Sequence, residues 1–182
     1  MLLDPEEAAA LPVLGATDAA VLVALAVDPD ATRVLLTRRR ADLRRHAGEI
    51  SFPGGRRDPE DPDLVVTALR EAQEEVGLPV EAVEVLGALQ PVPTIATGYA
   101  IYPFVGLIEP GHEWLLSEHE VERVLELSLE ELRAGYGRRR IVRRGLPFRT
   151  DTYVVGDDLV WGATARILAD LLHRLDTVAV AA

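Results

Sequence analysis

The sequence predicts an α/β fold in which helices pack on a mixed β-sheet within one domain. The length of 182 residues suits a single domain with a sizeable core. Short, largely apolar segments bounded by turn residues predict strands, and two longer segments carry an apolar stripe at helical spacing. No internal repeat or linker divides the chain, so we predict an N-terminal arm at 1–18, one domain at 19–176 and a tail at 177–182.

The first strands are predicted from an apolar run and a turn. Ala19–Val27 is nearly all apolar, which predicts a buried strand, and Asp28-Pro29-Asp30 is a turn signal that ends it. Arg33–Arg38 predicts a second strand, so the two form a hairpin. A basic loop at 39–47 leads to a short strand, Glu49–Phe52.

The first main helix is predicted over Leu64–Val76. Its apolar stripe recurs at helical spacing and consists of Val65, Ala68, Leu69, Ala72 and Val76. Asp61 is a suitable N-cap residue, Pro62 suits the first helical position, and Gly77 suits the position after the last turn.

The second half alternates strands and helices. Tyr99–Ile108 is mostly apolar and is therefore predicted to be a central strand. The other predicted elements are a strand at Ala82–Gln90, a strand at Val121–Leu127, a short helix at Leu129–Ala134, a strand pair of Arg140–Val142 with Arg149–Val155, and a last helix at Trp161–Leu175.

Composition limits the classes of function. The net charge of −11 argues against general binding to nucleic acid or anionic membranes. Ala19–Val27 is too short to span a bilayer, and the acidic N-terminus does not suit a signal peptide. The absence of cysteine excludes disulfides and thiolate chemistry and fits a cytoplasmic protein. All 19 basic residues are arginines, which suits phosphate recognition but also follows from a GC-rich genome.

Three glutamates crowd the predicted first helix. Glu71, Glu74 and Glu75 lie within one arc of the helix, where like charges repel. A solvated acidic face is one interpretation. The other is a site for Mg²⁺ or Mn²⁺, which prefer hard oxygen ligands. The preceding Gly54 and Gly55 would let backbone groups approach a ligand closely.

The segment that ends this helix resembles the Nudix box. Residues 70–78, Arg-Glu-Ala-Gln-Glu-Glu-Val-Gly-Leu, fit the pattern R-E-U-x-E-E-x-G-U, in which U is aliphatic, and Gly55 fits the upstream glycine. One departure is that Pro62 stands where the box has an acid, and Asp61 would require a one-residue insertion. The resemblance implies a Nudix-type α/β/α sandwich and a metal-dependent hydrolase.

The resemblance also implies roles for individual residues. Glu71 and Glu75 would be the principal metal ligands, and Glu74 a further ligand or the group that holds water beside the metal. The Gly54 carbonyl would supply another ligand, and Arg70 would orient the carboxylates. The favoured catalytic base outside the helix is Glu120. The alternatives are Glu118, Glu122, His46 and His119.

A second resemblance concerns the substrate. Residues 35–55 are similar to a signature of coenzyme A pyrophosphatases, L-L-T-x-R-S, R, G and F-P-G-G at fixed spacings. Arg40 stands where the signature has serine. The matching residues are Leu35, Leu36, Thr37, Arg39, Arg44, Gly48, Phe52, Pro53, Gly54 and Gly55.

This second resemblance implies a coenzyme A pyrophosphatase that yields 3′,5′-ADP and 4′-phosphopantetheine or its acyl form. Arg39 and Arg44 would bind phosphate, with Gly54 and Gly55 beside the substrate. The alternatives are a Nudix enzyme for ADP-ribose or a nucleoside triphosphate, and a non-catalytic nucleotide-binding module. Because homodimers are common among Nudix proteins, the resemblance also allows a homodimer.

Overall fold

The computed structural model describes residues 1–43, 46–94, 97–143 and 145–181, and its centre is a mixed eight-stranded sheet. The main path runs in the order β3-β2-β1-β7-β5, with β4 beside β1, β6 beside β7 and β8 beside β2. The strands are β1 (Thr17–Val27), β2 (Thr32–Arg39), β3 (Ile50–Ser51), β4 (Gly54–Arg56), β5 (Glu84–Ala88), β6 (Val92–Pro93), β7 (Tyr99–Ile108) and β8 (Val121–Ser128).

The two longest strands of the sheet centre are parallel to each other. β1 and β7 pair in register from Thr17 with Tyr99 to Ala26 with Ile108. The other pairings in this sheet are antiparallel, including the hairpin in which Leu25 of β1 faces Val34 of β2. The predicted hairpin and the predicted central position of Tyr99–Ile108 are therefore confirmed.

Helices cover both faces of the sheet. Successive side chains of a strand point to opposite faces. Leu22 of β1 packs in one apolar cluster with helix α2 (Leu64–Val76), and Val23 packs in another with helix α4 (Gly162–Ala181). This arrangement confirms the predicted α/β/α sandwich with a mixed sheet. The residues predicted to face inward from the last helix, Ile167, Leu168, Leu171 and Leu172, are buried.

A three-stranded antiparallel sheet lies beside α4. It consists of β9 (Tyr136–Arg143), β10 (Leu146–Val155) and β11 (Asp158–Trp161), and follows helix α3 (Leu129–Gly135). Its side chains Tyr153 and Val160 join the same apolar cluster as α4. The sequence predicted the β9–β10 pair but not β11, whose four residues directly precede α4.

Several predicted boundaries differ from the structure. The predicted strand Ala82–Gln90 is shorter, because Val80–Ala82 form a 3₁₀ turn before β5. The N-terminal segment contains helix α1 (Pro5–Ala9), and α4 remains helical up to Ala181. In the part of the chain that the structure describes, no helix is long and apolar enough to cross a bilayer.

The start of α2 corrects one prediction. The N-cap is Asp63, whose side chain accepts a hydrogen bond from the backbone N–H of Val66 at 2.9 Å. Asp61, the predicted N-cap, has a different role that is described below. At the other end Gly77 adopts φ 72° and its N–H donates to the carbonyl of Gln73, as a helix-ending glycine does.

Candidate active site

Helix α2 turns two of its glutamates toward the protein and one toward solvent. The Glu75 side chain is only 4% exposed and Glu71 is largely buried, whereas Glu74 is 59% exposed. The sequence predicted that the three glutamates share one face of the helix. In the structure they differ in exposure to solvent. Glu71 and Glu75 form the inner pair, and Glu74 lies at the outer margin.

The glycine pair at β4 allows the inner glutamates to approach the backbone. β4 pairs with β1, which fixes it against α2. A Cβ at Gly55 would lie 2.3 Å from Oε1 of Glu71, so any side chain there would displace that carboxylate. Gly54 has φ 154°, and a Cβ there would lie 2.3 Å from the carbonyl oxygen of Ala20 on β1. Gly55 is therefore required by the position of the Glu71 carboxylate, and Gly54 by the close approach of β4 to β1.

Glu75 is an incompletely satisfied buried acid. Its Oε2 is buried and has no hydrogen-bond partner among the residues that the structure describes, while its Oε1 lies 3.5 Å from Arg39 Nη1. Burial raises the pKa of Glu75 to about 8, and the nearby charges of Glu120 and Glu71 act in the same direction. Burial also raises the pKa of Glu71. A cation beside this pair would remove the cost of ionising both carboxylates.

Arg39 is the arginine that contacts Glu75. Its Nη1 also lies 3.7 Å from Oε2 of the half-exposed Glu120. The pairing of β2 with β8 shifts register at this point, because Arg38 pairs with Arg123 and Arg39 with Val121, which inserts one extra residue, Glu122, on β8. The structure thus brings the predicted residues Arg39 and Glu120 to the glutamates of α2. Arg44, the other predicted phosphate ligand, lies outside the described residues.

Asp61 anchors Arg70 at the outer side of α2. Its two carboxylate oxygens accept from Nε and Nη2 of Arg70 at 3.1 and 3.0 Å, and Thr67 Oγ1 donates to it at 2.9 Å. The hydrogen bonds from Arg70 lower the pKa of Asp61 to about 2, and in return the pKa of Arg70 is raised. The same guanidinium lies 3.1 Å from Glu71 and 3.1 Å from Glu74. Arg70 therefore contacts the carboxylates as predicted.

The prediction of Asp61 as the helix N-cap is wrong. Asp63 lies two residues later and has the backbone conformation that a cap requires, which leaves Asp61 to turn inward. Asp61 is buried and is the acid nearest to the place where the Nudix box has one. This closeness to the acid position of the box is the sequence feature from which the contact of Asp61 with Arg70 could have been predicted.

The donor atoms around the inner pair fit a hard divalent cation. Glu71 and Glu75 supply carboxylate oxygens, and no described residue is hydrogen-bonded to Glu75 Oε2. Among the described residues, no three acidic or histidine side chains are grouped so that they could hold an ion by themselves. This is compatible with Mg²⁺, which keeps several waters and takes only one or two protein carboxylates.

An open cleft of about 1260 Å³ is lined by the residues that follow Arg39 and flank Glu120 in the chain, and not by the inner pair itself. One wall follows Arg39 in the chain, from Arg40 to Leu43, and the opposite wall is Trp114–Leu116. The second wall is attached to the end of α2, because the N–H groups of Leu115 and Ser117 donate to the carbonyls of Val76 and Glu75 at 3.0 and 2.9 Å. The sequence did not predict this wall.

The alternative catalytic bases lie elsewhere. Glu118, His119 and Glu122 line the cleft, and Glu122 also lies 3.9 Å from Arg38. His46 is bonded to Glu49 at 2.7 Å. Of the non-helix candidates, Glu120 is the one whose charge raises the pKa of both Glu71 and Glu75.

Comparison with known proteins identifies the family. The model of the NUDIX domain matches residues 17–145, which include the sheet centre, α2 and Glu120. The chain belongs to the Nudix family. Two relatives are Nudix hydrolases named NudL. That of Photorhabdus laumondii is 42% identical over 159 residues, covering 86% of this chain and 84% of the relative. That of Salmonella paratyphi B is 44% identical over 164 residues, covering 89% and 84%.

Solved Nudix structures share the fold. RenU, a Nudix hydrolase of M. smegmatis, aligns with a TM-score of 0.61 at 19% identity, covering all of this chain and 95% of that one. The NUDIX domain of Shewanella oneidensis NrtR, complexed with ADP ribose, aligns with a TM-score of 0.53 at 19% identity over 72% and 81%. A C. elegans Ap4A hydrolase gives 0.53 at 23% identity over 62% and 80%. The chain is therefore a Nudix hydrolase in sequence and in fold.

Proposed function

We propose that this Nudix hydrolase cleaves the pyrophosphate of coenzyme A or its thioesters, giving 3′,5′-ADP and 4′-phosphopantetheine or its acyl form. The observation that carries the proposal is that residues of the coenzyme A signature lie close to the glutamates of the Nudix helix. Arg39, near one end of the signature, approaches Glu75, and Gly55 at the other end approaches Glu71. Two described residues of the signature therefore lie against the acids that would meet the pyrophosphate.

In this proposal Glu71 and Glu75 hold the divalent cation, with the Gly54 backbone beside them and Glu74 at the margin. The chemistry that Mg²⁺ or Mn²⁺ supplies in such a site is charge neutralisation on the pyrophosphate and a lowered pKa of water. Arg70 keeps the carboxylates in place through its bonds to Asp61 and Glu74. These residues fix the position of the scissile diphosphate, which is the main requirement of phosphoryl transfer.

Glu120 and Arg39 have complementary roles in the proposal. Glu120 is half-exposed and close to the inner pair, so it can accept a proton from water that attacks phosphorus. Arg39 already lies between Glu120 and Glu75, and its guanidinium can bind a phosphate oxygen once a cation neutralises Glu75. Arg44 belongs to the same signature and is proposed to bind phosphate.

ADP-ribose hydrolysis is the second candidate. The observation that favours it is the fold shared with the NUDIX domain of NrtR, which is complexed with ADP ribose. Both substrates contain an adenosine diphosphate, but only coenzyme A carries a 3′-phosphate. Turnover that weakens when this phosphate is removed favours coenzyme A, and indifference to it favours ADP-ribose or a nucleoside triphosphate.

The test is product analysis by chromatography with Mg²⁺ and either coenzyme A, 3′-dephospho-coenzyme A or ADP-ribose. We expect 3′,5′-ADP from coenzyme A, abolished by Glu75→Gln and retained by Glu84→Gln. Glu84 is an exposed glutamate on β5, which makes it a matched control for loss of one negative charge. Cleavage of ADP-ribose alone would overturn the coenzyme A proposal. Bound nucleotide without any cleavage would indicate a binding module.

A further inference from the structure

The cleft is lined by residues adjacent in the chain to those of the proposed reaction site. Arg39 contacts Glu75 and Glu120, and the next residue, Arg40, lines the cleft. On the other side, Ser117 is bonded to the carbonyl of Glu75 and precedes the lining residue Glu118. A substrate whose pyrophosphate lies on α2 can therefore extend one of its two ends into the cleft.

The charges of the described lining residues do not suit a phosphate. Arg40 donates to Asp42 through Nε and Nη2 at 2.9 and 2.8 Å, and to the carbonyl of Glu118 through Nη1 at 2.8 Å. Its guanidinium is therefore already engaged. The acids Asp42, Glu118 and Glu122 outnumber it. Like charges would repel an anionic group from this space.

The opposite wall is apolar and exposed. Leu115 is 74% exposed and lines the cleft, so its side chain is accessible to a group bound there. Trp114 beside it is fixed, because its Nε1 donates to Glu126 Oε1 at 2.7 Å. The wall packs closely against the end of α2, since a Cβ at Gly77 would lie 2.7 Å from the Cβ of Leu115. This surface is available to an uncharged chain.

We propose that the cleft receives the uncharged pantetheine and acyl arm of the substrate, and that Leu115 contacts this arm while the acidic lining disfavours anionic acyl groups. The proposal rests on the proposed function, because it presumes a coenzyme A thioester. The proposal places the two ends of the substrate in different parts of the site. The end rich in phosphate stays by Arg39, and the neutral end lies between Trp114–Leu116 and the 40–43 wall.

The test uses two thioesters of equal length. Butyryl-coenzyme A and succinyl-coenzyme A both carry four-carbon acyl groups, but only the succinyl group ends in a carboxylate. We expect the native enzyme to cleave the butyryl thioester with the higher kcat/KM. Leu115→Ser is expected to raise KM for the butyryl thioester about fivefold with little change in kcat. Leu14→Ser is the control, because Leu14 is also an exposed leucine, at 84%, and does not line the cleft.

A charge reversal tests the acidic lining separately. Glu118→Lys is expected to raise kcat/KM for the succinyl thioester relative to the butyryl one by about threefold at low ionic strength, and by less at high salt. Glu113→Lys changes the net charge equally on the same loop outside the lining and should leave the ratio unchanged. Cleavage of both thioesters with ratios that neither Leu115→Ser nor Glu118→Lys alters would overturn the cleft proposal alone. No cleavage of any coenzyme A compound would overturn the proposed function and the cleft proposal together.

Discussion

Arg38 and Arg39 are neighbours on β2, but they contact two different clusters of charged side chains. Arg39 faces the α2 cluster, which we define as Asp61, Arg70, Glu71, Glu74, Glu75, Glu120 and Arg39. Arg38 faces the other side of the strand and enters the bridging cluster, defined as Arg38, Glu122, Arg123 and Asp158. Each cluster contains one buried aspartate, Asp61 or Asp158.

The two clusters differ in charge balance. The bridging cluster has two arginines and two acids, and Asp158 is held by Arg123 and Arg38, which joins β11 of the small sheet to β2 and β8 of the large one. Acids outnumber arginines in the α2 cluster, and its buried atom without a hydrogen bond to any described residue is an acceptor, Glu75 Oε2. In the bridging cluster the unbonded atom is a donor, Arg38 Nε. The charges of the bridging cluster balance one another, so this cluster can join β11 to β2 and β8. The α2 cluster has more acids than arginines, and an added cation would balance its charge.

The largest expected effect is on catalysis, and it comes from a substitution of Glu75 in the α2 cluster. Glu75→Gln should lower kcat/KM about a thousandfold, because an uncharged amide is a poor ligand for a hard cation. The variant should still fold, since it removes a buried charge without a full set of partners. Asp158→Asn should retain kcat/KM within about twofold once corrected for the folded fraction. Steady-state kinetics beside circular dichroism measures both, and an active Glu75→Gln enzyme would remove Glu75 from the ligand set.

The second effect is a change in Tm on metal binding, which should depend on the α2 cluster and not on the bridging cluster. Mg²⁺ at one hundred times its dissociation constant stabilises a one-site protein by about 2.7 kcal/mol, which for a chain of this size raises Tm by about 5 to 10 °C. We expect EDTA to reverse this shift. Asp158→Asn should retain the shift and Glu75→Gln should lose most of it. An equal shift in Glu75→Gln would mean that the cation binds outside α2.

The third effect is structural and belongs to the bridging cluster. Asp158→Ala should lower the free energy of unfolding by about 2 to 3 kcal/mol, because two arginines lose a shared and nearly buried partner. Its exposed neighbour offers the control Asp157→Ala, which should change the same quantity by less than about 0.5 kcal/mol. Urea unfolding in EDTA makes the measurement. Equal effects of the two variants would show that the bridge contributes nothing.

The smallest effect depends on pH. The pKa of Asp61 falls from an ordinary 3.8 to about 2 in the folded protein, so its ionised form stabilises the fold. That contribution is fully present above the unfolded pKa and is lost as the pH falls through the folded pKa. Asp61→Asn should therefore cost about 2 kcal/mol near neutrality and progressively less from about pH 4 down to about pH 2.

Asp63→Asn is the matched control for this pH dependence. Asparagine caps a helix about as well as aspartate, so the N-cap at Asp63 should survive with little pH dependence. Urea unfolding of both variants across that pH range gives the two curves. A constant difference between Asp61→Asn and the native protein would show that the Asp61–Arg70 bond is not the cause.

Local patterns predicted most of the fold and the inner pair of glutamates. The helix α2, its glycine end and the β1–β2 hairpin are encoded within short windows, as is the spacing of Glu71 and Glu75. Contacts across the chain were not predictable in the same way. Asp158 meets Arg38 over 120 residues, and this pairing depends on β11, a strand too short to show a period.

The cap of α2 shows a different limit. Asp61 and Asp63 precede the same helix and are both good caps by composition, so residue type could not choose between them. The choice depends on backbone dihedral angles, because Asp63 is extended at φ −148°. The turn of Asp61 toward Arg70 then follows from burial, which no local pattern encodes.

The parallel pairing of β1 with β7 sets an order for biosynthesis. The partners are far apart in sequence, since Thr17 pairs with Tyr99 and Ala26 with Ile108. A nascent chain that ends after α2 already contains the glutamates and both glycines, yet it lacks the strand that pairs along the other edge of β1. Non-local strand pairing is slow, so this edge stays open until Ile108 has left the ribosome. Helix α2 is therefore synthesised early, and the sheet against which it packs is completed only after β7 has been made.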